Sequence, residues 1–174
     1  MRRFTAYIFD LDGVIVTTDD CHYRAWKSMA DEEGIYFDRK INERLRGVSR
    51  MESLEIILER AERKYSQEEK EALAYKKNEI YKKLISELTE RDVLPGVKEF
   101  LSECKRMHIL TAIGSSSKNA KPILERIGML SEFDAVVDGN DISKSKPDPE
   151  VFVKAAQRLG VERENCLVVE DACA

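Results

Sequence analysis

Four short apolar segments constrain the fold of this chain more than any other feature: residues 4–9 ("FTAYIF"), 109–113 ("ILTAI"), 134–137 ("DAVV") and 166–169 ("CLVV"). They are mostly apolar and partly β-branched, the pattern of strands buried on both faces of a parallel sheet. Helical stretches precede the last three. "GVKEFLSECKRM" sets Val97, Phe100, Leu101 and Cys104 on one stripe, "KPILERIGM" runs to Gly128, and "DPEVFVKAAQRLG" opens on Asp-Pro and closes on Gly160. Strand alternating with helix predicts an α/β fold, a Rossmann-like doubly wound parallel sheet.

The segment from Thr17 to Leu88 has another texture. "HYRAWKSMADEEG", "MESLEIILERAERKY" and "EEKEALAYKKNEIYKKLISEL" each carry an apolar stripe on a charged helix, which predicts an all-helical insert after the first strand. The expected domains are residues 1–16 with 89–174 as the α/β core and 17–88 as the insert. Most Lys and Glu side chains of the insert are accounted for as solvated helix faces.

Composition limits the partners. A formal net charge of -4 offers no overall attraction to nucleic acid or an anionic membrane, so a phosphate ligand would need local positive charge. No apolar run reaches the length of a membrane span, and the start "MRRFTAYIFDLDG" meets acids too soon for a signal peptide. A cytoplasmic monomer acting on a small molecule is expected. Cys21, Cys104, Cys166 and Cys173 are scattered, which argues against zinc and disulfides and predicts buried free thiols.

In an open parallel sheet, ligands sit beyond the carboxyl ends of the strands. The first run ends in Asp10 and Asp12, the second in Gly114-Ser115-Ser116-Ser117, and the fourth in Glu170-Asp171, while Lys146 in "SKSKPDP" follows the third. Clustered carboxylates need a cation or a proton, and an all-oxygen site favours magnesium. It is not a calcium loop, because Gly13 follows Asp12 directly and "VIV" replaces the polar ligands. Taken singly the signals are plain: Asp-x-Asp-Gly makes polar turns, Ser115 could cap a helix starting near Lys118, and Lys146 could be a surface lysine. Their joint placement at strand ends is what those plain readings do not produce. If strand geometry persists past residue 10, Asp10 and Asp12 lean to the same side.

"FDLDGV", Ser115 at a strand end, Lys146 before "PDP" and "EDACA" resemble the four motifs of the haloacid dehalogenase superfamily of phosphotransferases. Within it, "HYRAW", "LRGVSR", "KKN" and "SSSKN" resemble the β-phosphoglucomutase family along essentially the whole chain. The chain departs in having Thr17-Thr18 where family members usually have Asp-Thr. Members also continue past the last acid pair, and "CLVV" reads as an interior strand, so a longer downstream stretch is expected.

The resemblance implies that Asp10 is the nucleophile that becomes an aspartyl phosphate and that Asp12 is general acid and base. It implies magnesium held by Asp10, the backbone carbonyl of Asp12, and Asp171 with Glu170 beside it, and phosphoryl oxygens held by Ser115 and Lys146. Arg50 with Ser117, Lys118 and Asn119 would grip a distal phosphate, and His22, Trp26 and Lys77 would belong to the cap surface that closes over a sugar. Core packing is an equal reading for Trp26. The implied reaction takes β-D-glucose 1-phosphate to glucose 6-phosphate through β-glucose 1,6-bisphosphate. A small-molecule phosphatase of the same fold, or an incomplete domain that binds metal or phosphate without turnover, are the alternatives.

Overall fold

The computed structural model describes residues 4–171. In chain order the elements are β1 (Ala6–Phe9), α1 (Asp19–Glu32), α2 (Arg39–Glu43), α3 (Arg50–Leu58), α4 (Gln67–Ile85), α5 (Val97–Arg106), β2 (Leu110–Gly114), α6 (Ala120–Arg126), β3 (Ala135–Val137), α7 (Glu150–Leu159) and β4 (Cys166–Val169). Contacts divide the chain into two units, one up to Thr17 and from Leu88 onward, the other Thr18–Glu87.

The first unit is built on β1. The sheet has the order β3-β2-β1-β4, and β1 pairs in parallel with β2 and β4, Phe9 lying opposite Ile113 on one side and Val169 on the other. Alternation along the strand sends Ile8 to one face, where it packs with Ala112, Val137 and the small-residue face of α7 at Val151, Ala155 and Ala156. Tyr7 and Phe9 point to the other face. There Tyr7 stacks on Phe100 of α5 at 5.8 Å and Phe9 meets Phe133 at 6.3 Å. Burial of both faces explains why the strands read as unbroken apolar runs. β4 differs. It pairs with β1 among the described residues, and its Leu167 and Val168 are exposed at 37% and 41%, apolar surface of the kind an interior strand carries.

The second unit holds α1–α4, with Trp26, Met29, Phe37, Leu54, Ile57 and Leu73 among its core residues. Two capping boxes start its later helices: Ser49 with Glu52 for α3 and Ser66 with Glu69 for α4. The helix predicted over 51–65 stops at Leu58, because "ERAERK" beyond it is exposed apart from a half-buried Ala61 and offers no apolar face for another turn. The sequence did not indicate α2, a five-residue helix capped by Asp38 that buries only Ile41.

Cys104 is buried, but Cys21 and Cys166 are only half-buried, correcting the expectation of uniformly buried thiols; none of the three is in a disulfide. Cys173, with the rest of the "ACA" ending, lies outside the described residues. Among those described, no helix is long and apolar enough to cross a membrane.

Candidate active site

The sheet brings the ends of β1, β2 and β4 together. The Asp10 N–H donates to the Val169 carbonyl at 2.9 Å, carrying the ladder one residue past β1 and setting Asp10 beside Glu170 and Asp171. The Ser115 N–H does the same with the Val137 carbonyl at 3.0 Å at the end of β2. Strand geometry ends before Asp12, where the chain bends at Leu11, and beyond Asp12 Gly13 turns the chain with φ +81, its N–H donating to the Val16 carbonyl at 2.8 Å. The side chains of Asp10 and Asp12 are therefore not related by a pleat. Asp12 is half-buried in the turn and bridges to Val16 through its backbone.

Asp10, Glu170 and Asp171 each offer a carboxylate oxygen within 4.8 Å of the others. The Asp12 carboxylate is not in this group; the sequence reading assigns that residue's backbone carbonyl instead. Lys146 reaches the same place. Its Nζ lies 2.8 Å from Asp10 Oδ1 and pairs with Glu170 as well, and both Lys146 and Asp10 are buried. Burial pushes the Asp10 carboxyl up to about 6, while the Lys146 ammonium and its hydrogen bond pull it down. All the acid ligand atoms are carboxylate oxygens, a donor set that suits a small hard dication.

Ser115 does not cap a helix. Its Oγ accepts from the Ser117 N–H at 3.2 Å, the Ser117 Oγ accepts from the Asn119 N–H at 3.2 Å, and α6 begins only at Ala120. This serine loop is braced by the segment after β3: the Gly139 N–H donates to the Ser117 carbonyl at 3.1 Å, and Asn140 Nδ2 to that of Lys118 at 3.1 Å. Ser115 and Asn119 are buried, and Lys118 is exposed.

The helical unit gathers a second set. Lys77, 2% exposed on α4, places its Nζ 2.9 Å from His22 Nδ1 on α1 and 4.6 Å from the Trp26 ring centre. Trp26 is thus both core and cation platform. His22 stacks on Tyr81 at 4.1 Å, and the Tyr81 hydroxyl meets Thr18 Oγ1 at 2.9 Å. Burial, then the charges of Lys77 and Arg50, hold His22 well below the usual imidazole range. Arg50, the first residue of α3, is half-buried, and burial lowers its guanidinium pKa with no carboxylate among the charges acting on it. Tyr81 is absent from the sequence reading, although its place one turn beyond Lys77 was a usable signal.

The family model for haloacid dehalogenase-like hydrolases matches residues 4–174. The chain belongs to the haloacid dehalogenase-like hydrolase family. Over 169 residues it is 47% identical to the β-phosphoglucomutase of Bacillus subtilis (strain 168), covering 96% of this chain and 75% of that protein. It is 33% identical to the phosphorylated carbohydrates phosphatase of Thermotoga maritima, covering 96% of this chain and 76% of the relative. The crystal structure of β-phosphoglucomutase from Clostridium difficile superposes with a TM-score of 0.91 at 43% identity, covering 97% of this chain and 77% of that one. The expected doubly wound parallel sheet is therefore the fold of this haloacid dehalogenase-like chain, and the resemblance to the β-phosphoglucomutase branch holds. Because relatives in the family include both a mutase and a phosphatase, the residues outside the shared transfer chemistry must separate the two activities.

Proposed function

We propose that this chain is a β-phosphoglucomutase, interconverting β-D-glucose 1-phosphate and glucose 6-phosphate through an aspartyl-phosphate enzyme and β-glucose 1,6-bisphosphate. The observation that carries this reading is the 47% identity over 96% of the chain, which takes in the helical unit as well as the transfer centre. The cations Arg50 and Lys77 on that unit support it, since a bisphosphate intermediate needs positive charge for a second phosphate.

In this reading an Asp10 oxygen attacks phosphorus and the bond from phosphorus to the sugar oxygen breaks. Asp12 gives its proton to that leaving oxygen and takes one from the next attacking hydroxyl. Lys146, already 2.8 Å from Asp10, and Ser115 hold the non-bridging oxygens. Asp10, Glu170, Asp171 and the Asp12 carbonyl would hold magnesium, which supplies neutralisation of the charge shared by nucleophile and phosphate. Arg50, Ser117, Lys118 and Asn119 take the phosphate that is not being transferred, and His22, Trp26 and Lys77 contact the sugar. The substrate's fixed negative charge keeps it from crossing membranes, and we place the reaction in the cytoplasm.

Phosphorus NMR of the purified protein with magnesium and β-glucose 1-phosphate tests the assignment. Glucose 6-phosphate should grow at the expense of the 1-phosphate with little inorganic phosphate. Inorganic phosphate without glucose 6-phosphate would make the chain a phosphatase.

Gly13 supplies a test of the metal set. A Cβ there would overlap the Asp171 carboxylate, and φ +81 strains any L side chain. Gly13→Ala should displace Asp171 and weaken magnesium binding at least about 10-fold, the scale of a disturbed ligand shell, measured by titration calorimetry. Unchanged affinity would remove Asp171 from the set.

A further inference from the structure

Lys146 sits in a segment, residues 138–149, that forms neither helix nor strand, yet its ammonium is held 2.8 Å from Asp10. Backbone ladders do not fix such a segment, so side chains must. One carboxylate does most of this. Glu150 Oε2 accepts from the Ser143 N–H at 3.0 Å, the Ser143 hydroxyl at 2.9 Å and the Lys144 N–H at 2.7 Å. Glu150 Oε1 takes the Lys154 ammonium at 2.6 Å, which also donates to the Asp141 carbonyl at 2.6 Å. The Lys146 N–H completes the tether on the Ser116 hydroxyl at 3.3 Å.

Glu150 is well placed to transmit position. It is the first residue of α7, whose next residue, Val151, is buried with Ala155 and Ala156 against the sheet strands that end in the transfer centre. The Lys154 ammonium and the N–H of Lys144 hold its carboxyl down at about 2, so it is ionised at any working pH.

We propose that Glu150 is a positioning residue for phosphoryl transfer: its carboxylate gathers residues 141–144 and thereby sets the distance between the Lys146 ammonium and Asp10. This rests on the proposed phosphate-binding role of Lys146, and Glu150 itself touches neither substrate nor nucleophile. A misplacement of about 1 Å at a transfer centre is enough for a rate loss of up to about 100-fold.

The test is a double-mutant cycle of Glu150→Gln with Lys146→Ala. Its readout is the single-turnover rate at which acetyl phosphate phosphorylates the full chain, followed by intact mass, with magnesium affinity and thermal melting recorded for each variant. Glu150→Gln alone should slow phosphorylation about 10- to 50-fold while magnesium affinity stays within about threefold. In the Lys146→Ala background it should cost less than about twofold, because its effect runs through the lysine. Equal losses in both backgrounds would show a general structural role and overturn the proposal, as would a Glu150→Gln rate equal to wild type. If Glu150→Gln does not fold, Glu150→Asp, which keeps the charge but falls one methylene short of the loop, is read in the same cycle. A wild-type rate for Lys146→Ala alone would instead strike out the lysine's phosphate role, and the Glu150 proposal with it; that result is distinct from failure of the coupling.

Discussion

Replacing Asp10 by asparagine should lower turnover at least about 10⁴-fold, about 5.4 kcal/mol of barrier, and removing magnesium from wild type should have an effect of the same order. Asp10 is the acid that meets all three requirements of the nucleophile: it directly follows β1, its Oδ1 lies 2.8 Å from the phosphate-binding candidate Lys146, and it shares a three-carboxylate cluster. The amide keeps the size of the side chain but has no oxygen anion to attack phosphorus. Intact mass after incubation with acetyl phosphate should show one added phosphoryl group on wild type and none on the variant. Turnover within about tenfold of wild type, about 1.4 kcal/mol, would remove Asp10 from the nucleophile role.

The same substitution should act oppositely on stability. Burial raises the folded-state pKa of Asp10 from 3.8 to about 6, so below pH 3.8 both folded and unfolded chains carry its proton. As pH rises through the window from 3.8 to about 6 the unfolded chain releases the proton first, and folding stability falls. At pH 7.5 without metal the ionised, buried carboxylate then costs on the order of 2–3 kcal/mol. Metal-free Asp10→Asn should accordingly melt higher than metal-free wild type at pH 7.5, with the gap closing toward pH 4. Magnesium should raise the wild-type melting temperature more than the variant's, since a dication offsets the charge that asparagine lacks. A variant that melts lower than wild type at pH 7.5 would show that the Lys146 ion pair outweighs the burial of Asp10.

The sheet was legible because its burial is symmetrical. A strand covered on both faces must be apolar throughout, so "FTAYIF" and "ILTAI" locate β1 and β2 to within two residues, and the rule that ligands gather at strand ends then singles out Asp10, Ser115 and Asp171. Helical periodicity found α1 and α4 but overran α3, whose charged continuation keeps the period of a helix without an apolar face to hold it. The roles of Asp12 came from the family resemblance; the same-side lean that spacing suggests depends on a pleat that the bend at Leu11 interrupts.

Residues that act by holding backbone were the hardest to see. Glu150 binds N–H groups six and seven residues earlier, and any carboxylate in a Pro-rich turn could have been expected to face water. Tyr81 meets Thr18 across 63 residues, a contact no local pattern encodes. The Lys77–His22 pair spans 55 residues and was reached only through the family resemblance, since a lysine on a Lys-rich helix is by default a solvated one.

Arg50→Ala should abolish most mutase flux while leaving the phosphorylation of Asp10 by acetyl phosphate nearly unchanged. The guanidinium is half-buried at the start of α3, has no carboxylate among the described residues acting on its pKa, and adds its charge to that of Lys77 in depressing the His22 pKa. Burying a cation without an anion is unfavourable, so its retention there calls for an anionic ligand. A phosphate not undergoing transfer is that ligand in the proposed reaction, and the planar fork of arginine matches it with two parallel hydrogen bonds. Loss of a desolvated contact of this kind costs about 2–5 kcal/mol, whereas acetyl phosphate has no second phosphate to lose. Arg50→Lys should recover only part of the flux, because an ammonium cannot reproduce the fork. Glucose 6-phosphate formation, coupled to a dehydrogenase, and Asp10 phosphorylation, followed by mass, should be measured on one preparation. Equal loss of both rates would place Arg50 in the fold or the transfer centre, and full mutase flux in Arg50→Ala would assign the second phosphate to other residues.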